Sequence, residues 1–429
     1  MSAVVLCIYH VIYKQDCVLV SYFVFLEFSL KVEQPVLGKT GTLIFLVIIS
    51  AFPPLTTDLY LPALPTMVEK LNTNQAMVNL TLSVYFAAYA IGLLFWGPLS
   101  EKFGRKPILL MGLGIYVIGS VLCALSNFVE MLIGARLLQA FGGSAVTVVA
   151  TAIVKDLYDG REREKIIATI MSLVIIAPMV APVLGALLLK IANWHMMFAA
   201  LAVFGSVAML FTFFYRETLH TRYAGSVFQS WGRLAVVVKN PPFLSLLAVF
   251  TIVPMALMSF LAAGSYVYIN GFGLSEQTFS YAFAANAVCA SFGPTIYMRL
   301  SKRVSVKKII TASFLTLTAC GISTIFIGGL SPWVFGALAA IATLTVIITR
   351  VPGTNLMLEQ QTTDTGSAVA VIQFCSMIAG AIGMALVSLN AETLIKNLGV
   401  IQLSIGLIAL TLWLVFKNKA YVSAYMSKV

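Results

Sequence analysis

Apolar runs of roughly twenty residues recur along the chain, with short polar stretches between them. A helix rises 1.5 Å per residue, so each run is long enough to cross a hydrocarbon layer of about 30 Å. The pattern predicts twelve spanning helices, at residues 41–62, 76–99, 108–126, 129–154, 166–189, 195–215, 243–269, 279–298, 309–329, 333–357, 366–390 and 398–416. One long hydrophilic interruption, residues 216–242, divides them six and six, and residues 417–429 form a tail. The expected fold is an all-α membrane protein, with twelve transmembrane helices in two pseudo-symmetric six-helix bundles at 41–215 and 243–416. Residues 1–40 read differently: Lys14, Asp16, Glu27, Lys31 and Glu33 break the apolar clusters, and the longest clean run, 17–26, is too short to span. With no cationic start and no cleavage site, this segment reads as a poorly ordered or interfacial extension rather than a signal peptide. Deleting residues 1–38 is therefore expected to leave insertion and transport intact.

The polar stretch between the second and third runs, GPLSEKFGRKP at residues 97–107, carries four charges within six residues. Side chains so densely charged cannot lie in hydrocarbon, so the stretch is a tight hairpin at a water interface. Gly97 is placed where a neighbouring backbone can approach closely, and Gly104 permits a turn of positive φ before Arg105 and Lys106. A worn copy follows the eighth run, where Gly293 and Pro294 precede Arg299, Lys302, Arg303, Lys307 and Lys308 without an acid or a second glycine. The repetition supports two related halves.

Composition excludes a soluble globule: 60% of residues are hydrophobic, 10% are charged and the mean hydropathy is +0.97. A net charge of +11 would fit a nucleic-acid binder only if the basic residues were gathered on a soluble surface, and here they sit in short loops. With the amino terminus inside, cytoplasmic loops and tail take 20 of the 27 Lys and Arg, external loops take Lys70, Lys190 and Lys396, three fall in the extension, and Arg136 is left. That bias places both termini in the cytoplasm. The six cysteines and three histidines show no metal spacing and no nucleophilic constellation, so neither a metal nor an enzyme is expected.

Two charges stand well inside the spans, Asp58 in the first and Arg136 in the fourth. Counting from the centres of their runs, both lie about six residues, roughly 9 Å, to the external side of the midplane. Charges at depth face a protein interior or a water-filled cavity. At matching height the two are expected to pair, directly or through water, either as a permanent lock between spans 1 and 4 or as a switch in which Asp58 exchanges a proton. Pro53, Pro54, Pro62 and Pro65 surround the acid and bend its helix. In span 4, Arg136, Gln139 and Gly143 share one face; in span 5, Ala177, Ala181 and Gly185 form a small-residue stripe beside Pro178 and Pro182. Tyr60, Tyr85, Tyr89 and Gln373 are candidates for an apolar, drug-sized pocket, against the plainer reading of ordinary helix contacts.

The 97–107 hairpin resembles the loop between helices 2 and 3 of the major facilitator superfamily, G-x-L-(S/A)-D-(R/K)-x-G-R-(R/K), with Glu101 where the family has Asp. TDLYLPALP at 57–65, APMVAPVLG at 177–185 and GSAVAVIQF at 366–374 are similar to the Bcr/CflA drug-resistance branch of its twelve-span drug:proton antiporters, and RLLQAFGG at 136–143 resembles the R-x-x-Q-G motif. The resemblance implies that Asp58 binds substrate and proton, that Arg136 couples to proton movement, and that 177–185 is an antiporter motif. It also implies that Gly97, Glu101, Gly104, Arg105 and Lys106 form a cytoplasmic gate. The expectation is a monomeric exporter of amphipathic small molecules in the cytoplasmic membrane, driven by the proton gradient and needing no cofactor. An importer or exporter of an endogenous metabolite is the alternative.

Overall fold

A computed structural model of the chain describes residues 32–158, 160–219, 227–361 and 365–426. Among them there is no strand; the helices line up into twelve rods. These are α1 (Gly38–Lys70), α2 (Gln75–Phe103), α3 (Arg105–Ala124), α4 (Val129–Leu157), α5 (Gly160–Ile191), α6 (His195–Phe214), α7 (Pro241–Gly271), α8 (Glu276–Ser291 and Gly293–Leu300), α9 (Val306–Ile327), α10 (Pro332–Glu359), α11 (Thr365–Val387) and α12 (Leu394–Phe416). Ten are long and apolar enough to cross a membrane on the described residues alone. The other two are α5, some of whose residues carry no described side chain, and α8, which breaks before the Gly293–Pro294 pair.

Turn chemistry sets the rod starts. Asn74, Asn240, Ser275 and Ser331 each accept a backbone N–H from three residues on, capping α2, α7, α8 and α10. Proline sets the breaks: α1 is helical over Gly38–Ser50 and Phe52–Asp58, tightens to a 3-10 turn at Leu61–Ala63, and resumes at Leu64. Its counterpart in the second half, α7, is interrupted before Pro254 in the same manner.

Three apolar cores show how the halves meet. One lies away from the 97–107 hairpin and draws on both halves, uniting Leu61, Leu64 and Leu82 with Phe260, Ala263, Phe279 and Met384. The other two lie toward the hairpin, one built from α1, α3, α4 and α6 and the other from α7, α9, α10 and α12. Hydrogen bonds crossing between the halves cluster at the far end. Asn79 Nδ2 donates to Ala262 O (3.2 Å) and Ser388 Oγ (2.7 Å), Gln277 Nε2 to Ala186 O (3.1 Å), and Ser280 Oγ to Pro182 O (2.9 Å). A shared core at one end and separate cores at the other define a cleft that opens toward the hairpin. There a linker helix (Val227–Val238) bridges α2 and α11, its Trp231 indole donating to Leu94 O at 3.2 Å.

The extension needs a correction where it is described. Val32 and Gln34 are buried, and Gln34 makes a two-way bond with the Arg216 backbone, donating to its carbonyl (3.0 Å) and accepting its N–H (2.8 Å). Residues 32–38 therefore belong to the folded first half, and residues 1–31 lie outside the described residues. Gln34→Ala is expected to cost about 1 kcal/mol for each bond lost, seen as a lower melting temperature of the purified protein; an unchanged melt would refute the tie.

Candidate functional site

The accessible face of α1 leads to its acid. Between residues 41 and 58, Gly41, Ile44, Val47, Ile48, Ala51, Pro54 and Leu55 are exposed or half-buried at steps of three and four, with half-buried Ser50 and Pro53 off this stripe, which ends one turn later at Asp58, 6% exposed. Asp58 Oδ1 accepts from Thr57 Oγ1 at 2.8 Å, and the carboxylate has no cationic partner among the described residues. It stands at the head of the cleft.

Arg136 does not meet it. The guanidinium is fully buried and faces the other side of α1: Nη1 donates to Gln139 Oε1 (2.6 Å) and Thr56 O (3.4 Å), and Nη2 donates to Tyr60 OH (3.1 Å). The rings of Tyr85, Tyr60 and Phe198 surround it at 4.2, 4.6 and 5.6 Å, and Gln139 is itself held by donating to Ser120 Oγ at 2.8 Å. The expected Asp58–Arg136 pair is therefore absent in this conformation. Thr56 and Tyr60 share one face of α1, whereas Asp58, two residues from each, projects about 160° away at ~100° per residue. Matching depth does not fix direction around the axis. A ring cage, the Thr56 carbonyl, the Gln139 side-chain oxygen and the Tyr60 hydroxyl stabilise the cation without a carboxylate.

The pocket candidates divide. Tyr60, Tyr85 and Tyr89 are all buried; Tyr60 OH bonds Thr81 Oγ1 (3.2 Å), Tyr89 OH donates to Thr147 Oγ1 (2.6 Å), and the Tyr85 and Tyr89 rings stack 5.9 Å apart. They brace α1, α2 and α4 around Arg136 and do not line open space in this state. Gln373, in contrast, is exposed on α11, half a turn round from the exposed Ile382.

At the hairpin, Gly104 has φ +108°, and a Cβ there would meet Glu217 Oε2 at 2.6 Å. Glu217, just past α6, accepts the backbone N–H groups of Arg105 (3.1 Å) and Lys106 (3.0 Å), placing a carboxylate on the first turn of α3 where the helix dipole favours it. Arg105 Nε pairs with Asp156 Oδ2 at 2.8 Å and Nη1 donates to Ser100 Oγ, while Lys106 Nζ donates to Phe213 O. Two expectations are corrected. Glu101 is exposed and has no partner among the described residues, so the acids of this cluster are Asp156 and Glu217. At Gly97 a Cβ would meet only Val148 Cγ1, at 3.9 Å, so no backbone approaches closely there. Glu217→Ala is expected to destabilise the first half by about 1–2 kcal/mol through loss of the cap, read from its melting temperature; an unaltered melt would exclude the capping role.

The stripe on α5 packs on both sides. Ala177, Ala181 and Gly185 are buried, and a Cβ on Gly185 would fall 1.8 Å from Leu59 O, beside Asp58. On the other side, Pro182 O and Ala186 O accept the bonds from α8 of the second half. A further correction concerns Arg350. The charge count groups it with loop residues, but it lies inside α10 and is exposed. Its sequence position, seven residues short of the predicted end of span 10 at 357, was the signal.

Two six-helix halves around a cleft with a charged head define a multi-pass membrane transporter rather than an enzyme. The family model of the Major Facilitator Superfamily matches residues 45–384, and the chain belongs to that superfamily. An uncharacterised MFS-type transporter of Bacillus subtilis, YdgK, is 30% identical over 353 residues, covering 79% of this chain and 86% of that one. A bicyclomycin resistance protein homologue of Haemophilus influenzae is 28% identical over 282 residues, covering 63% and 70%. The multidrug resistance protein MdtL of Salmonella typhi is 28% identical over 267 residues, covering 61% and 68%. Among solved structures, a bacterial homologue of the human lysosomal transporter Spinster, in an inward-facing and occupied conformation, superposes with a TM-score of 0.70 at 14% identity, covering 87% of this chain and 96% of that one.

Proposed function

We propose that the protein is a proton-coupled exporter of amphipathic small molecules, of the Bcr/CflA type, seated in the cytoplasmic membrane with the hairpin face and both termini inside. The observation that carries this reading is Asp58: an acid without a cationic partner, at the head of a cleft open to one face. Such a group binds a proton in one orientation and releases it in the other, exchanging it for substrate. The names of two relatives, a bicyclomycin resistance homologue and a multidrug resistance protein, favour drugs over nutrients as cargo. The concentration of Lys and Arg in the hairpin-side loops supports the orientation. The site needs no cofactor beyond the gradient, and one chain holds all of it, in keeping with a monomer.

Inverted membrane vesicles carrying the protein test the reading. After a respiratory substrate has built an inside-acid gradient, adding a transported compound such as chloramphenicol is expected to release protons while the compound accumulates inside. Proton and compound moving in the same direction would make the protein an importer. Compound movement without proton movement would remove the coupling.

A further inference from the structure

Arg350 is a third charge in the membrane-spanning body, after Asp58 and Arg136. It lies nine residues before the end of α10 at Glu359, so about 13 Å in from the hairpin end. It is exposed, and it forms no hydrogen bond or ion pair with any described residue. Its direction follows from the helix. Trp333 and Ile341 mark the outward face of α10, at 77% and 45% exposure. Arg350 follows Ile341 by nine residues, about 180° round the axis, and therefore points inward. An accessible, inward, unpaired cation at that depth faces the cleft, because hydrocarbon would not tolerate it.

Asp58 faces the same space. α8 packs against α10 and against the 3-10 turn of α1, so α1 and α10 flank the cleft on the same side, one from each half. Counted from the hairpin end, Asp58 lies twenty residues beyond Gly38 and Arg350 nine residues before Glu359, so the acid is about 16 Å deeper. Two opposite charges thus face one cleft, neither with an oppositely charged partner among the described residues, at a separation that an extended drug-sized molecule and the long Arg350 side chain together can span. Met258 and Met377, both half-buried, pack against the core shared by the two halves and supply adaptable apolar surface there.

We propose that Arg350 receives the anionic group of the cargo, so that the substrates include zwitterionic amphiphiles whose carboxylate meets Arg350 while a basic nitrogen lies toward Asp58. This rests on the exporter reading above. A guanidinium presents a planar fork of donors that matches a carboxylate, and charge-assisted bonds of this kind are the strong ones.

The test is equilibrium binding to the purified, detergent-solubilised protein with three probes: norfloxacin (a zwitterion), its methyl ester (the same body without the carboxylate) and chloramphenicol (neutral). Wild type is expected to bind the acid at least about tenfold more tightly than the ester. Arg350→Gln should raise the ratio of the norfloxacin Kd to the chloramphenicol Kd about tenfold, and Arg350→Lys should recover part of it. Equal affinity for acid and ester in wild type overturns the inference whether or not the glutamine variant folds, as does a glutamine variant that weakens all three probes alike. A wild type that binds chloramphenicol but not norfloxacin overturns it and leaves the exporter reading standing. A wild type that binds none of the three and moves no protons overturns both.

Discussion

Asp58→Asn is expected to abolish uphill efflux while leaving the protein folded. Asparagine has the same shape, and its amide oxygen can still accept from Thr57 Oγ1, the bond that orients the carboxylate at 2.8 Å. What it cannot do is exchange a proton. One proton crossing at 100 mV and one pH unit supplies about 3.7 kcal/mol, enough to hold a substrate gradient of about 500-fold. Without that exchange the gradient collapses to the level of passive equilibration, while substrate-for-substrate exchange down a gradient continues. The measurement is accumulation in vesicles under an imposed proton gradient, set beside counterflow without one. A variant that still concentrates substrate fully under the proton gradient would show that another group carries the proton. Arg136 is buried in its ring cage and bonded to Thr56 O, Tyr60 and Gln139, so the proposed proton exchange at Asp58 would proceed without an ion pair to Arg136 in this conformation.

What the chain reveals unaided depends on which physical constraint is strongest. Bilayer thickness imposes a run length, so the rods could be located from hydropathy with ends a few residues off. The dense charge of 97–107 imposes a water interface, and Gly104 does take the positive φ its turn requires. Depth along a rod follows from counting; azimuth follows only where a neighbour's face is known. Hence Asp58 and Arg136 could be set at one height and still look in different directions. The hairpin acids failed for a related reason. Asp156 lies in the last turn of α4 and Glu217 three residues past α6, both more than fifty residues from Arg105, and only the packing of α3 beside those ends brings their carboxylates to it. Arg350 is legible in the sequence itself: it stands seven residues inside span 10, a position that separates it from the loop charges.

Gly185→Ala is expected to reduce transport at least tenfold, because it drives a wedge between α1 and α5 beside the acid. The added Cβ would lie 1.8 Å from Leu59 O and 2.9 Å from Leu59 C, and both are backbone atoms that no rotamer change can move aside. The rods must part by more than about 1 Å, and overpacking of this kind costs roughly 1–3 kcal/mol. The displacement falls at a sensitive place. Leu59 follows Asp58 directly, and the carbonyls of Pro182 and Ala186, on either side of Gly185 in sequence, accept the bonds from Ser280 and Gln277 that join the halves. One methyl group would therefore shift the carboxylate and loosen the closed end together, so the loss of transport should exceed what the drop in melting temperature alone explains. Gly114→Ala on α3 is the control: a Cβ there meets nothing within 4 Å, and the change should raise helix stability slightly without touching transport. If Gly185→Ala behaves like Gly114→Ala in both melting and transport, α1 and α5 do not approach as closely as this geometry requires, and the small-residue stripe on α5 is not what sets the position of Asp58.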